Sequence, residues 1–124
     1  MAAPDEAYVE RFLIPWNAHD VDGAMALMTN DCIWETTRGA EPHGTLFTGA
    51  PAVRGAIAAV FEAMPDIRYE VVRTSFGPGL AVAELLVTAT LTDGKRVRFH
   101  ACDVMNVRDD GKISSKRSYR KVVE

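Results

Sequence analysis

The stretch "RFHACDVMNV", residues 98–107, carries one carboxylate on an otherwise apolar strand face. Read with the two-residue alternation of a β-strand, Val97, Phe99, Ala101, Met105 and Val107 share a side with Asp103. Arg98, His100, Cys102, Val104, Asn106 and Arg108 take the other side. A carboxyl group among apolar side chains resists ionisation, because burial penalises its charged form. Such a group suits proton transfer near neutral pH, which makes Asp103 the first candidate for chemistry.

The preceding strand offers it a partner. "LTDGKR" sets Asp93-Gly94 between strand-like runs, the signature of a tight hairpin. A two-residue turn would place Thr92 opposite Lys95, Thr90 opposite Val97, Thr88 opposite Phe99, Leu86 opposite Ala101 and Glu84 opposite Asp103. The expected product is a pair of inward carboxylates, Glu84 and Asp103, with Cβ atoms about 4.5–5.5 Å apart. Two carboxyl groups so close cannot both ionise cheaply, so one would accept a proton while the other held one. The residues equally allow a structural ion network, in which Lys116, Arg117 or Arg120 of the last strand neutralises both acids. On the reverse face this register pairs Val87 with His100 and Leu85 with Cys102. That mixed polarity fits a subunit interface or a half-exposed surface.

The elements that must position these groups are legible as patterns. "PDEAYVERFLIPWNAHD" opens with Pro4, Asp5 and Glu6 and continues with apolar residues at helical spacing, Tyr8, Val9, Phe12, Leu13 and Trp16. Asp20 is the expected N-cap of a second short helix, "VDGAMALM", ending near Thr29-Asn30. "DCIWETT" reads as a strand and "RGAEPHGTLFTGAP" as a loop. "PAVRGAIAAVFEAMPD" is a helix with Val53, Ile57, Val60, Phe61 and Met64 along its buried stripe. "IRYEVVRTSF", "LAVAELLVTATLT", "KRVRFHACDVMNV" and "KISSKRSYRKVV" follow as long strands joined by "GPG", "DG" and "RDDG". Helices first and an antiparallel meander afterwards define an α+β fold, with helices on one face of a curved sheet.

Bulk properties narrow the function classes. The 124 residues suit one domain, residues 1–124, and 48% hydrophobic with 25% charged residues is the balance of a soluble globular protein. A net charge of -3 without a basic cluster before the last strand argues against nucleic-acid binding. No window approaches the ~20 apolar residues of a membrane span, and the acidic start lacks a signal-peptide core, so a cytoplasmic location is expected. Cys32 and Cys102 have no metal-ligand spacing and read as reduced thiols. No metal or organic cofactor is implied. His19 and His43 fall in loops, and His100 stands alone on its strand face, so all three read as structural or solvated.

Taken together, "WNAHDVDGAMALMTNDCIWE", "FTGAPAVRGAIAAVFEAMPDIRYEV" and "DVMNVRDDGKISSKRSY" resemble the nuclear-transport-factor-2-like superfamily, in its ketosteroid isomerase and SnoaL-like polyketide cyclase branch. The resemblance implies a cone-shaped barrel: a curved mixed or antiparallel sheet wrapped around N-terminal helices, with an internal pocket. It matches Asp103 in "DVMNV" to a strand aspartate that, in the isomerase, donates a hydrogen bond to the substrate oxyanion while protonated. The isomerase's first-helix tyrosine and first-strand base correspond here to Phe12 and Thr36, which argues against steroid isomerisation as such. Limonene epoxide hydrolase is a poorer match, because Ser118 stands where its acidic residue is expected.

The same resemblance turns Lys116, Ser118 and Arg120 toward the pocket and implies a substrate bearing a carboxylate, enol or phenolate. Phe12, Trp16, Trp34, Thr36, Phe61, Leu86, Thr88, Phe99, Ala101 and Met105 are the expected remainder of the pocket wall. The implied activity is proton transfer next to a carbonyl of a cyclic or aromatic small molecule, as isomerase, cyclase or lyase, by a homodimer. A non-catalytic ligand-binding or dimeric interaction module of the same fold is the alternative.

Overall fold

Two aspartates start the first two helices as the sequence predicts. Asp5 accepts the backbone N–H of Tyr8 at 3.0 Å and opens α1 (Glu6–Asn17). Asp20 accepts that of Gly23 at 3.0 Å and opens α2 (Val21–Ala26). The computed structural model describes residues 3–124. The second helix is shorter than its pattern implies, because the chain enters β1 (Met28–Glu35) two residues after Ala26. Part of the expected loop is also ordered, since β2 (Leu46–Thr48) folds back antiparallel on β1. The third helix, α3 (Ala50–Ala63), buries Val53, Ala56, Ile57 and Phe61 along one stripe, while Val60 and Met64 pack at its margin.

Four strands complete the sheet: β3 (Arg68–Gly77), β4 (Leu80–Thr90), β5 (Arg96–Val107) and β6 (Ile113–Arg120). Their order is β2-β1-β6-β5-β4-β3, with one parallel contact, β1 against β6, in an otherwise antiparallel sheet that does not close. The three helices lie against the concave face. The core between them contains Val9, Phe12, Trp16, Val53, Ile57, Leu85, Met105 and Ile113, all essentially inaccessible to water.

The β4–β5 hairpin departs from the two-residue turn. Leu91 donates its N–H to the Lys95 carbonyl at 2.8 Å, Gly94 donates to Leu91 at 2.9 Å, and the Asp93 carboxylate accepts the Lys95 N–H at 2.9 Å. The loop is therefore three residues, Thr92 to Gly94, with Gly94 at φ 86° in the left-handed region that glycine enters without Cβ strain. The β5–β6 loop repeats this geometry: Arg108 bonds Lys112, Asp110 accepts the Lys112 N–H, and Gly111 sits at φ 83°. One extra loop residue shifts the pairing by one, so Glu84 faces Cys102, Leu86 faces His100, Thr88 faces Arg98, and Asp103 faces Ala83. Side chains alternate between faces with period two, so this slip exchanges the inner and outer sets of β4.

Candidate active site

The corrected register gives β4 an inner face of Ala81, Ala83, Leu85, Val87 and Ala89, all buried. Glu84, expected as the catalytic partner of Asp103, and Leu86 and Thr88, expected in the pocket wall, lie on the opposite face. Glu84 there accepts a hydrogen bond from Arg73 at 2.8 Å, and its side chain is 36% exposed. The expected pair of inward carboxylates is therefore not formed. Val87 and Leu85 likewise leave the outer face and join the core.

Asp103 keeps its inward position on β5, 5% exposed, and its carboxylate finds its polar partners on β6 rather than β4. A register irregularity between Asn106 and Val107 turns Lys116, Ser118 and Arg120 to the inner face, opposite Met105, Asp103 and Ala101. The Ser118 hydroxyl donates to Asp103 Oδ1 at 2.6 Å, and the Trp34 indole N–H donates to Ser118 Oγ at 3.0 Å. An indole can only donate, so the Ser118 proton has one direction left, toward the carboxylate. The other carboxylate oxygen, Oδ2, lies 3.8 Å from Lys116 Nζ. Both oxygens of Asp103 thus face donors, the surroundings of a carboxylate acting as acceptor.

Lys116 is as buried as its partner, at 4% exposure. Its ammonium lies 3.8 Å from the centroid of a Trp16 ring, 4.3 Å from Trp34 and 5.8 Å from Phe12. Aromatic faces attract a desolvated cation, so the cage and Asp103 hold Lys116 from several sides. Burial pushes its pKa below the ordinary 10.5, and the neighbouring Asp103 opposes that push without cancelling it. Trp16 in turn packs edge-on against Trp34, Phe61 and Tyr69 and tilts on Phe12. The N–H of Trp16 is buried without a hydrogen-bond partner.

Tyr69 is a functional candidate that sequence reasoning passed over. Burial, and secondarily the charge of Asp103, push its phenol well above the usual range, so it stays protonated and able to donate. Its backbone is clamped to the end of α1 by Asn17, whose side chain accepts the Tyr69 N–H at 2.8 Å and donates to its carbonyl at 3.0 Å. His19 bonds the Ile67 carbonyl at 2.7 Å and stacks on Phe61 at 4.9 Å, which makes it part of the same clamp. The alternation Ile67, Tyr69 was the available signal, but the exposed run Glu70 to Arg73 that follows obscures it.

The inner face of β5 grades from closed to open. Val107, Met105 and Asp103 are buried, whereas Ala101, Phe99 and Val97 are half-buried, so the inner face becomes more exposed toward the Val97 end. Arg120 lies over Phe99 there, its guanidinium carbon 3.7 Å from the ring centroid. Thr36 stands at the edge, accepting the Thr45 N–H and donating to the Arg38 carbonyl at 3.1 Å. It lines a surface pocket of ≈ 340 Å³ with Pro42, His43 and Tyr119, and that pocket reaches Ser118. Of the expected wall, Phe12, Trp16, Trp34, Phe61, Met105, Lys116 and Ser118 therefore gather around Asp103. Phe99, Ala101 and Arg120 form the rim, and Thr36 lies beyond it.

Residues 9–116 match the SnoaL-like domain. Curated proteins give no significant match. Solved structures do. SalBIII, an epoxide hydrolase/cyclase-like enzyme in pyran ring formation in polyether salinomycin, superposes with a TM-score of 0.81 at 22% identity, over 94% of this chain and 90% of its own. A protein of ketosteroid isomerase-like fold from Catenulispora acidiphila, in complex with trimethylamine, gives 0.79 at 13% identity, over 94% and 86%. An NTF2-like protein of unknown function from Burkholderia pseudomallei gives 0.81 at 16% identity, over 93% and 88%. The α+β cone expected from the sequence is thus the fold of these neighbours, and the profile match extends over most of the chain. The chain belongs to the SnoaL-like domain family, on the nuclear-transport-factor-2-like, ketosteroid isomerase-like fold.

Proposed function

We propose that this protein transfers a proton at a carbon next to a carbonyl in a cyclic or aromatic small molecule. The observation that carries the reading is the buried Asp103–Lys116 pair with its donors Ser118 and Trp34. Asp103 removes the α-proton, and the electron pair of the C–H bond moves to the carbonyl oxygen. The Lys116 ammonium stabilises the resulting enolate, as preorganised charge does where negative charge develops. The proton returns at another carbon, or the enolate closes on or expels a neighbouring group. These ends correspond to isomerase, cyclase and lyase outcomes from one shared step.

The oxyanion role inherited from the family resemblance thereby passes from Asp103 to Lys116, and Asp103 becomes the base. Glu84 has no part in this scheme, because Arg73 holds it on the other side of the sheet. The test is hydrogen–deuterium exchange at the α-carbon of a panel of aromatic ketones and β-keto esters, followed by NMR in deuterated buffer. Exchange at the protein-free rate across the panel sinks the reading. The same ion pair favours a second reading, a non-catalytic ligand-binding module in which Lys116 permanently neutralises Asp103. Saturable ketone binding without exchange would select it.

A homodimer through the outer sheet face belongs to the same proposal. Tyr119 is an exposed large side chain on that face, and Leu86 and Val104 lie half-buried beside it. Sedimentation or size-exclusion chromatography with light scattering is expected to give twice the 13.6 kDa chain mass. A monomer at micromolar concentration would overturn the dimer.

A further inference from the structure

The rim carries an arginine that the proton-transfer scheme does not use. Arg120 projects from the inner face of β6, half-buried, with its guanidinium stacked on Phe99. Its Nε–H is buried and has no hydrogen-bond partner. Burial first, and the charge of Arg38 from the segment after β1 second, hold Arg120 below its ordinary value. Among the described residues no carboxylate lies within 4.0 Å of its guanidinium; Arg54, Arg68, Arg73, Arg96, Arg108 and Arg117 each have one, and Arg11, Arg38 and Arg98, which have none, are exposed. A half-buried guanidinium with an orphaned donor and no carboxylate beside it leaves the site short of an anion.

We propose that Arg120 forms a carboxylate-binding subsite, so that the substrate is an aromatic keto acid whose carboxylate lies at the rim while its carbonyl reaches Lys116. This deepens the proton-transfer reading and rests on the same Asp103–Lys116 site. Along β5, Ala101 opposite Arg120 and Phe99 beneath it lie two and four positions from Asp103. At roughly 3.3 Å per residue that is about 7–13 Å. An aromatic ring with the carboxylate and the acyl group at opposite ends spans that interval. The ring would lie along Val97, Phe99 and Ala101, the half-buried part of the wall.

The experiment measures binding of 4-acetylbenzoate and its neutral counterpart 4-acetylbenzamide by calorimetry, alongside α-proton exchange of both and of acetophenone. The benzoate is expected to bind at least about tenfold more tightly than the amide, with an affinity that falls as salt is raised. Arg120→Gln should remove most of that preference, and Arg120→Lys should restore some, since charge returns without the planar fork. Thermal melts of each variant verify folding. Equal binding of benzoate and amide, or a preference that survives Arg120→Gln, overturns the subsite. Inorganic phosphate competing as well as benzoate would also overturn it, by showing an unselective cationic surface. A carboxylate preference without exchange of any ketone would uphold the subsite while refuting proton transfer. Acetophenone exchange without carboxylate preference would do the reverse.

Discussion

Asp103→Asn is expected to lower α-proton exchange by about 10²–10⁴-fold, the range that a positioned general base contributes. The amide preserves shape and can still accept from the Ser118 hydroxyl, so the loss isolates the missing charge and basicity. It also leaves the Lys116 ammonium buried without its counter-ion, so the assay belongs well below the melting point of the variant. Glu84→Gln is the informative companion. Facing Arg73 on the outer side of the sheet, it should leave exchange within about twofold of the parent. Had the hairpin closed with two loop residues, Glu84 would stand beside Asp103 and both substitutions would be severe. Full exchange by Asp103→Asn would eliminate Asp103 as the base.

The second large effect concerns stability. Lys116→Met removes one member of a buried ion pair and strands the other, a change that costs about 3–5 kcal/mol. For a chain of this length that is a fall in Tm of roughly 10–20 °C. Combining it with Asp103→Leu should recover most of the loss, because two apolar groups among Phe12, Trp16, Trp34 and Met105 need no counter-charge. The double-mutant cycle thus reads the coupling within the pair rather than the loss of a methylene stem. Strictly additive losses would mean that the pair is not coupled, and the site would have to be reconsidered.

The pair also has a pH signature. Burial lowers the Lys116 pKa below 10.5, so its charge is lost on the alkaline side before an exposed lysine would lose its own. If the ammonium stabilises the enolate, kcat/KM is full where Lys116 is protonated and declines as pH rises through that lowered value. In Lys116→Met this alkaline limb should disappear along with most of the rate. Tyr69, whose pKa is raised, remains protonated over the same interval and does not confuse the profile.

Most of the elements are local facts of the chain. Asp5 and Asp20 cap helices because their carboxylates reach the free N–H groups of the first turn, whatever the rest of the protein does. The stripe Val53, Ile57, Phe61 requires a helix with one buried face, and Asp103 between Ala101 and Met105 requires a carboxylate on the inner side of a strand. The family resemblance likewise turned Lys116, Ser118 and Arg120 inward, and that is where they lie.

The partner of Asp103 was not local. Asp93-Gly94 is compatible with a two-residue and a three-residue loop, which differ little in intrinsic energy but place Glu84 on opposite faces of the sheet. The choice falls to the long strands. The three-residue loop buries Ala83, Leu85, Val87 and Ala89 against the helices and returns Glu84, Thr88 and Thr90 to the water-facing side. Sequence alone established that a carboxylate is buried in this cone. That its counterpart is the Lys116 ammonium between two tryptophans was decided by tertiary packing, because one loop residue and one irregularity between Asn106 and Val107 set which side chains share an interior.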